Sequence, residues 1–442
     1  MREDGANGAQ GDKTLADRAD GVSAGLIIRG FLRRSKMIST FACTCGLLTV
    51  GRVVIVLKNL LRFSRMTDQQ LALARASGSR RLTRGAIVGL LAFGTVLMLL
   101  ITVSAVSLGC IAWLICEGYW ALVPLWAGAA WSWGRLSWAC AGCFFCASAL
   151  PDGIRLSRRS GASMYRLADE VGRLFGGVRV DTIWITPEMN AAVLQRPRWG
   201  LLGRMQTHLL IGLPLAHSVS ELQLRAILAH EYAHLHFQRR GAAAWAGHVR
   251  AWWARVVEAS LERLPLIGYW LDRHTQRHFI DARDLARLEE FEADRHAGRV
   301  SGQRLLAETL VDVAVKEAFL VHDYWAKVMS QARWRAAPVI RPYRELRLGM
   351  QAGFGAWHGR RDCLQGLLSD AGADETLLHP SVAERVQALG QRPGLLPFFS
   401  VSAAERHLAA MLPMLAWAFD YNWWLSCREA WQQTYRDERA FA

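Results

Sequence analysis

The stretch that decides the fold is SELQLRAILAHEYAHLHFQ, residues 220–238. Ser220 and Gln223 have the spacing of a capping box, in which each side chain bonds the other residue's backbone at the start of a helix. Apolar residues then recur at helical spacing, at Leu224, Ile227, Leu228 and Leu235. The sequence therefore predicts one long helix that carries the pentad HEYAH, residues 230–234, in its middle.

The pentad has the spacing of a metal-binding helix. Two histidines four residues apart, His230 and His234, stand on one face of a helix, so both imidazoles can reach one Zn²⁺. Glu231 follows the first histidine and leans toward the open coordination position, where a carboxylate can take a proton from water and return it to a leaving amine. We predict one Zn²⁺ per chain, with His230 and His234 as ligands and Glu231 as the general base.

A catalytic zinc needs a third protein ligand and leaves its fourth position to water. A helix predicted over 281–298 offers four acidic side chains, at Glu289, Glu290, Glu292 and Asp294. Glu290 and Asp294 are four residues apart and share a face. A carboxylate ligand with a second carboxylate that orients a ligand histidine is what such a site requires. A solvated acidic face on a basic protein is the alternative.

Three motifs occur in order along the chain: HEYAH at 230–234, EFEAD at 290–294, and HPS at 379–381 followed by Arg385. Together they resemble the HtpX-like membrane zinc peptidases of peptidase family M forty-eight, which includes the CAAX prenyl endopeptidases. The resemblance covers roughly 158–389. It implies an α+β, zincin-like metallopeptidase domain, mostly helical with a small sheet. It also implies Glu290 as the third zinc ligand and Asp294 as the carboxylate behind the ligands.

The resemblance further implies roles for residues outside the two helices. His379 would approach the site and stabilise the oxyanion, with Arg385 fixing its loop, although a turn histidine before Pro380 is an equal alternative. Asn190 and Ala191 resemble the start of the family's substrate-side strand. That strand binds the substrate backbone as an added β-strand.

Two apolar runs near the N-terminal third predict a membrane hairpin. The run 85–116 has no ionisable side chain, and about 20 apolar residues suffice to cross a bilayer. The run 121–150 contains Arg135, which can face a partner helix or snorkel to the surface. Residues 117–120 form the turn between them. The sequence therefore predicts a transmembrane helical hairpin over 85–150.

The net charge of +15 is distributed as in a membrane protein. Arginines precede and follow the hairpin, at Arg62, Arg65, Arg75, Arg80, Arg81, Arg84, Arg155, Arg158 and Arg159, whereas its turn carries Glu117 alone. This positive-inside pattern places both flanks in the cytoplasm and favours anionic lipid as the partner rather than nucleic acid. We expect an integral protein of the bacterial inner membrane whose active site faces the cytoplasm.

The rest of the chain divides by composition. The expected parts are a polar, disordered tail (1–36), an interfacial or membrane helix with a basic linker (37–84), the hairpin (85–150), the zinc metallopeptidase domain (151–400) and a Trp-rich helical region (401–442). The Trp-rich region suits either lipid headgroups or the core. Short strands are predicted at 182–186, 190–194 and 208–213.

These features predict a membrane-anchored zinc-dependent endopeptidase that hydrolyses protein or peptide substrates at the cytoplasmic membrane face, with membrane-protein quality control as one role. HtpX-type enzymes also carry spans after the zinc helix, whereas 245–270 here is Arg- and Trp-rich and too charged to span. A soluble catalytic domain tethered to the membrane fits better. The alternative is a non-proteolytic, zinc-containing membrane scaffold, but a structural site has no use for the base Glu231.

Overall fold

A computed structural model describes residues 68–199, 204–238, 241–369, 379–392, 394 and 401–440. The predicted tail 1–36 and the candidate helix within 37–61 lie outside the described residues. The described chain is mostly helical and contains one small mixed sheet. The predicted α+β class is thereby confirmed.

Two long helices open the described chain. Helix α1 runs from Asp68 to Cys116, and Gly118 follows in the turn with a φ of +78°, which suits a residue without a side chain. A short 3-10 turn leads into α2, Val123–Phe144. Helix α1 is the one helix in the described ranges that is long and apolar enough to cross a membrane. It begins well inside the segment expected to be a linker, so the boundary expected at 84/85 falls within a single helix.

The sheet has four strands in the order β1-β2-β4-β3. They are β1 (Ile154–Leu156), β2 (Thr182–Thr186), β3 (Ala191–Pro197) and β4 (Met205–Gly212). Strands β2 and β4 pair in parallel, whereas β1 and β3 pair antiparallel to their neighbours. Alternate residues of the two central strands are fully buried, as expected for a sheet packed on a core. Three strands lie close to the predicted positions, and β1 was not predicted.

Helices make up the rest of the domain. They are α3 (Ala162–Leu174), α4 (Leu213–Ser218), α5 (Glu221–Gln238), α6 (Gly241–Arg263), α7 (Pro265–Gln276), α8 (Phe279–Ser301), α9 (Gln303–Phe319), α10 (Trp325–Ser330), α11 (Arg360–Ser369), α12 (Val382–Ala388), α13 (Ala403–Leu408) and α14 (Leu412–Ala440). Single turns at Leu346–Leu348 and Phe354–Ala356 flank a π-helical turn between them. The long helix predicted around the pentad is α5, and the acidic helix is α8.

The main core joins the sheet to α3, α5, α9, α13 and α14. The C-terminal Trp-rich region belongs to this core. Trp431 is fully buried and donates from its indole N–H to the carbonyl of Arg335 at 2.9 Å. The backbone N–H of Ala403 donates to the carbonyl of Val219 at 2.8 Å, just before α5 begins. Of the two alternatives for this region, core packing is the one that Trp423 and Trp431 adopt.

A second apolar cluster joins α1 and α2 to α6 and α7. The indole of Trp253 lies against Gly89, where an added Cβ would come within 2.5 Å of the ring. Phe93 and Phe144 stack with their ring centroids 6.0 Å apart. Trp252 donates from its indole N–H to the carbonyl of Phe144 at 2.7 Å. The Arg- and Trp-rich segment after the pentad therefore packs on the base of the α1–α2 pair.

Candidate metal centre

The start of α5 is fixed by the predicted capping box. The backbone N–H of Ser220 donates to Oε1 of Gln223 at 2.8 Å, and the backbone N–H of Gln223 donates to Oγ of Ser220 at 3.3 Å. The Gln223 amide also donates to Asp312 on α9 at 2.7 Å. Lys316 neutralises that carboxylate at 2.6 Å and donates to the carbonyl of Ser218, also at 2.6 Å. These bonds set the position of the pentad relative to α9.

His230, His234 and Glu290 come together where α5 packs against α8. The two Nε2 atoms are 3.2 Å apart, and they lie 3.4 Å and 3.5 Å from the two carboxylate oxygens of Glu290. Ligands bound tetrahedrally at about 2.0–2.1 Å from Zn²⁺ are separated by about 3.3 Å. The three side chains therefore have the identities and the spacing of one face of a zinc site. Within the described ranges this is the cluster that could hold a metal ion.

Glu290 reaches the two histidines because α8 approaches α5 closely. Ala293 and Ala297, one turn and two turns further along α8, are fully buried and leave room for the neighbouring helix. Burial disfavours the charged form of Glu290, but hydrogen bonds from the His230, His234 and His379 rings outweigh it and lower the pKa below its usual range. Glu290 is thus anionic, as a metal ligand of this type would have to be.

Asp294 and Arg385 form a layer behind the ligands. Nδ1 of His230 donates to Asp294 Oδ1 at 2.9 Å, so Nε2 is the ring nitrogen that faces His234 and Glu290. Arg385 donates to both oxygens of Asp294, at 2.6 Å and 2.7 Å. Arg385 was expected to fix the loop of His379. The structure shows that its ion pair with Asp294 joins α12, which begins three residues after His379, to α8.

The charge balance of the site favours a cation. Burial and Arg385 lower the pKa of His230, but Asp294 and Glu290 outweigh them and raise it to about 9. The site therefore attracts positive charge, which a bound Zn²⁺ would supply in place of the proton.

Glu231 is next to the ligands and is not among them. Burial raises its pKa, and the neighbouring His230 and His234 act in the opposite direction. A base with a pKa moved toward neutrality suits proton transfer at physiological pH. Glu231 is not part of the cluster that could hold a metal ion, because Glu290 is its third member.

The remaining predicted residues lie at the rim. The His379 side chain is 67% exposed and donates from Nδ1 to Glu290 Oε1 at 3.2 Å. It therefore reaches the site, although its contact is to the ligand carboxylate. Ala191 begins β3, the edge strand of the sheet, which packs beside α5. Asn190 is exposed just before it, and its carbonyl accepts from the backbone N–H of Gly212 at 2.7 Å.

Sequence reasoning missed one contact close to the site. Arg75, on α1, pairs with Glu292 on α8 at 2.9 Å, two residues beyond the ligand Glu290. Arg75 had been assigned to the basic flank of the membrane hairpin. The distribution of basic residues around the hairpin could not predict this ion pair, because Glu292 lies far from Arg75 in the sequence.

No family model matches the chain, and comparisons with curated proteins and with solved structures give no match either. The resemblance to the HtpX-like peptidases therefore stays a prediction that rests on the three motifs. The structure adds that these motifs, which are far apart in the sequence, contribute His230, Glu290 and His379 to one place.

Proposed function

We propose that this protein is a membrane-anchored zinc-dependent endopeptidase with a zincin-like catalytic domain. The observation that carries the proposal is the trio His230, His234 and Glu290, whose donor atoms lie 3.2–3.5 Å apart beside a carboxylate, Glu231, that is not a ligand. A site of three protein ligands with a neighbouring base is typical of hydrolytic zinc enzymes.

A bound Zn²⁺ would supply Lewis-acid chemistry to a water molecule and to the scissile carbonyl. Glu231 would accept a proton from the attacking water as the C–O bond forms, and it would give that proton to the leaving amine when the tetrahedral intermediate collapses and the C–N bond breaks. Asp294 holds the ring of His230 in one tautomer, and Arg385 holds Asp294. His379, which is exposed and lies 3.2 Å from Glu290, would donate a hydrogen bond to the oxyanion.

The backbone of a substrate can pair with the free edge of strand β3. Strand β4 covers one side of β3, and the other side is the edge of the sheet, beside the metal helix. An extended peptide can add to such an edge through main-chain hydrogen bonds, which do not depend on its sequence. Asn190 and Ala191 stand where this edge begins. Protein segments in extended form are therefore the proposed substrates.

The membrane attachment is proposed from α1 and α2. Exposed apolar side chains cover their outer surface, among them Leu99, Leu108 and Leu125. Basic residues flank the pair on both sides, which favours a hairpin inserted with both ends in the cytoplasm. We propose the bacterial inner membrane as the location and proteins of that membrane as substrates, in keeping with quality control.

A non-proteolytic zinc scaffold remains the second candidate because of His379. Its Nδ1 lies 3.2 Å from Glu290, close to the three ligands, and a structural zinc site closes its fourth position with a side chain. The exposure of His379 favours a position on the substrate side instead. The two candidates differ in what Glu231 does.

The experiment compares Glu231→Gln with His234→Ala in full-length protein purified in detergent. Zinc content is measured by elemental analysis, and cleavage is measured on an unfolded protein substrate. Glu231→Gln keeps the helix and all three ligands, so it should hold zinc while its rate falls on the order of 100- to 10,000-fold. His234→Ala should lose both zinc and activity. Zinc-loaded wild-type protein that cleaves nothing would favour the scaffold.

A further inference from the structure

The N-terminal part of α1, called its lower part below, packs against the proposed catalytic domain. Three pairs of residues join α1 to α8 in antiparallel order: Arg81 with Asp281 at 3.2 Å, Gly78 with the side chain of Leu285, and Arg75 with Glu292 at 2.9 Å. Glu290, the proposed ligand on α8, lies between the partners of Gly78 and Arg75. The metal site is therefore beside α1 near Arg75.

Further contacts fix this docking on a second side. Arg250 on α6 donates to Ser79 Oγ at 2.6 Å and to Thr83 Oγ1 at 3.2 Å. His274 on α7 bonds the carbonyl of Gly85 at 3.2 Å, and one turn higher Gly89 gives room to the Trp253 ring. Helices on two sides of α1 therefore prevent it from sliding or turning relative to the catalytic domain.

The upper part of α1 has a different partner. From Gly94 onward it packs along α2, through Phe144 at that level and through Ser137, whose Oγ lies 3.3 Å from Ser104 Oγ. Its outward residues there are exposed and apolar, at Val96, Met98, Leu99, Ile101, Val106 and Leu108. A hydrocarbon layer of about 30 Å spans about 20 helical residues, which from Cys116 reaches back to Val96. With the far edge of such a layer at Cys116, length and packing place the near edge at about Val96, beyond the exposed Val88 and Leu91 of the docked part.

Helix α7 runs on the domain side of this level, since His274 near its C-terminal end bonds the carbonyl of Gly85, eleven residues before Val96. Its inner residues Ile267 and Leu271 pack on the cluster shared with α1 and α2, whereas Leu266, Tyr269 and Trp270 are 84%, 58% and 70% exposed. Leu, Tyr and Trp on one exposed face are typical of a helix at the headgroups. The lipid surface would then cover the outer face of α7.

The distance from the membrane to the metal site follows from α1. Val96 and Arg75 are 21 residues apart in one continuous helix, which corresponds to about 32 Å along its axis. A tilt of about 20° would shorten that height by only about 2 Å. An extended polypeptide advances about 3.3 Å per residue, so about nine residues are needed to reach from the hydrocarbon edge to the site.

We propose that α1 acts as a fixed spacer, and that the substrates are membrane-tethered proteins cut in cytoplasmic segments about nine or more residues from their own span. This rests on the proposed endopeptidase function and specifies its substrate class. Peptide bonds within the bilayer or directly beside it are out of reach, because the dock of α1 on α6, α7 and α8 holds the ligand Glu290 away from the membrane.

The test uses full-length, zinc-loaded protein in liposomes together with a single-span substrate that carries an unstructured 60-residue cytoplasmic tail of mixed sequence. Cleavage sites are mapped by mass spectrometry, with Glu231→Gln as the blank. Two matched substrates accompany it: the same tail without its span, and the same tail moved outward by a 14-residue Gly–Ser insertion next to the span.

We expect the free tail to be cut along its whole length, and the tethered tail to give no products from about its first nine residues. The insertion should bring cleavage into reporter bonds that the bilayer had protected. Products from bonds one to five residues from the span would overturn the spacer, as would a protected region that the insertion does not move. If the free tail is not cut either, the proposed function fails and the spacer fails with it.

Discussion

The carboxylate of Asp294 accepts a hydrogen bond from Nδ1 of His230 at 2.9 Å, on the side of the ring opposite the Nε2 atom that faces Glu290. In the proposed zinc site, Asp294 would therefore orient a ligand without being one. Carboxylates in this position typically change metal affinity 10- to 100-fold when they are replaced.

Asp294→Asn should weaken zinc binding by about 10- to 100-fold while leaving all three ligands in place. The amide keeps the shape of the carboxylate but not its charge, so both His230 and Arg385 lose an anionic partner. Competition with a chelator of known affinity measures the change. Asp284→Asn, on the same helix but half-exposed and paired with its neighbour Arg283, is the control and should bind zinc as wild type does.

The third ligand can be identified among three neighbouring carboxylates of α8. Glu290→Gln should lose most of the bound zinc, because a neutral amide oxygen replaces the anionic donor. Glu289→Gln and Glu292→Gln should retain it, since the cluster that fits a metal contains neither residue. Elemental analysis of the three purified variants decides the assignment. Equal zinc in all three would mean that Glu290 is not a ligand.

His379→Ala separates a catalytic role from a structural one. If His379 donates to the oxyanion, the variant should keep its zinc and lose about 100-fold in kcat. Its exposed position makes a large loss of stability unexpected. Zinc content and kcat are measured on the same preparation. Loss of zinc in this variant would identify His379 as a fourth ligand and would favour the scaffold.

The ion pair between Arg75 and Glu292 should stabilise the dock of α1 on α8. Arg75→Gln leaves the largely buried Glu292 carboxylate without this partner. We therefore expect the free energy of unfolding to fall by about 1–3 kcal/mol, which lowers the unfolding temperature in detergent. The double variant Arg75→Gln/Glu292→Gln should recover part of that loss. Arg80→Gln, on an exposed face of α1, is the matched control. No difference between the two arginine variants would contradict this role.

His217 should make the fold sensitive to acid. Burial in α4 lowers its pKa from 6.5 to about 4, with Glu405 opposing the shift. Between pH 6.5 and 4, the His217 imidazole therefore binds a proton in the unfolded chain but not in the folded chain. Stability present above pH 6.5 is lost as the pH falls through this window, by at most about 3 kcal/mol.

The measurement is the unfolding temperature from pH 7.5 to pH 4.5, compared between wild type and His217→Gln. The variant should lose less stability on acidification, because it has no imidazole to protonate at that position. His322→Gln, at an exposed site, should follow the wild-type curve. Identical acid dependence in wild type and His217→Gln would show that other groups set the response.

Local signals account for what the sequence predicted correctly. The capping box at Ser220 and Gln223, the apolar spacing of α5 and the β-branched run at 182–186 act over a few residues, and the structure has all three. The side-by-side placement of His230 and His234 was predicted because a helix fixes the relative positions of residues four apart. In each case, residues close together in the sequence are enough to predict the local structure.

What was not predicted depends on pairs far apart in sequence. Arg75 has many acidic residues as possible partners, and its choice of Glu292, 217 residues away, is made by the packing of α1 on α8. Arg385 similarly pairs with Asp294, 91 residues away. The parallel pairing of β2 with β4, which puts β3 at the edge, is also decided by tertiary contacts. The sequence shows which residues are basic, but it does not show which acidic residues they pair with in the folded protein.

The two ligand helices enclose the segment that holds the α1–α2 pair. Helices α6 and α7 lie between His234 and Glu290, so a metal ion bound to both residues closes a loop of about 56 residues, a closure whose entropy is about 3–4 kcal/mol. The far side of that loop is the apolar cluster around Trp253 and Phe93. Loss of the ion would therefore make local opening of this segment easier, and chelation should increase the exchange of backbone amides with solvent at the base of the α1–α2 pair.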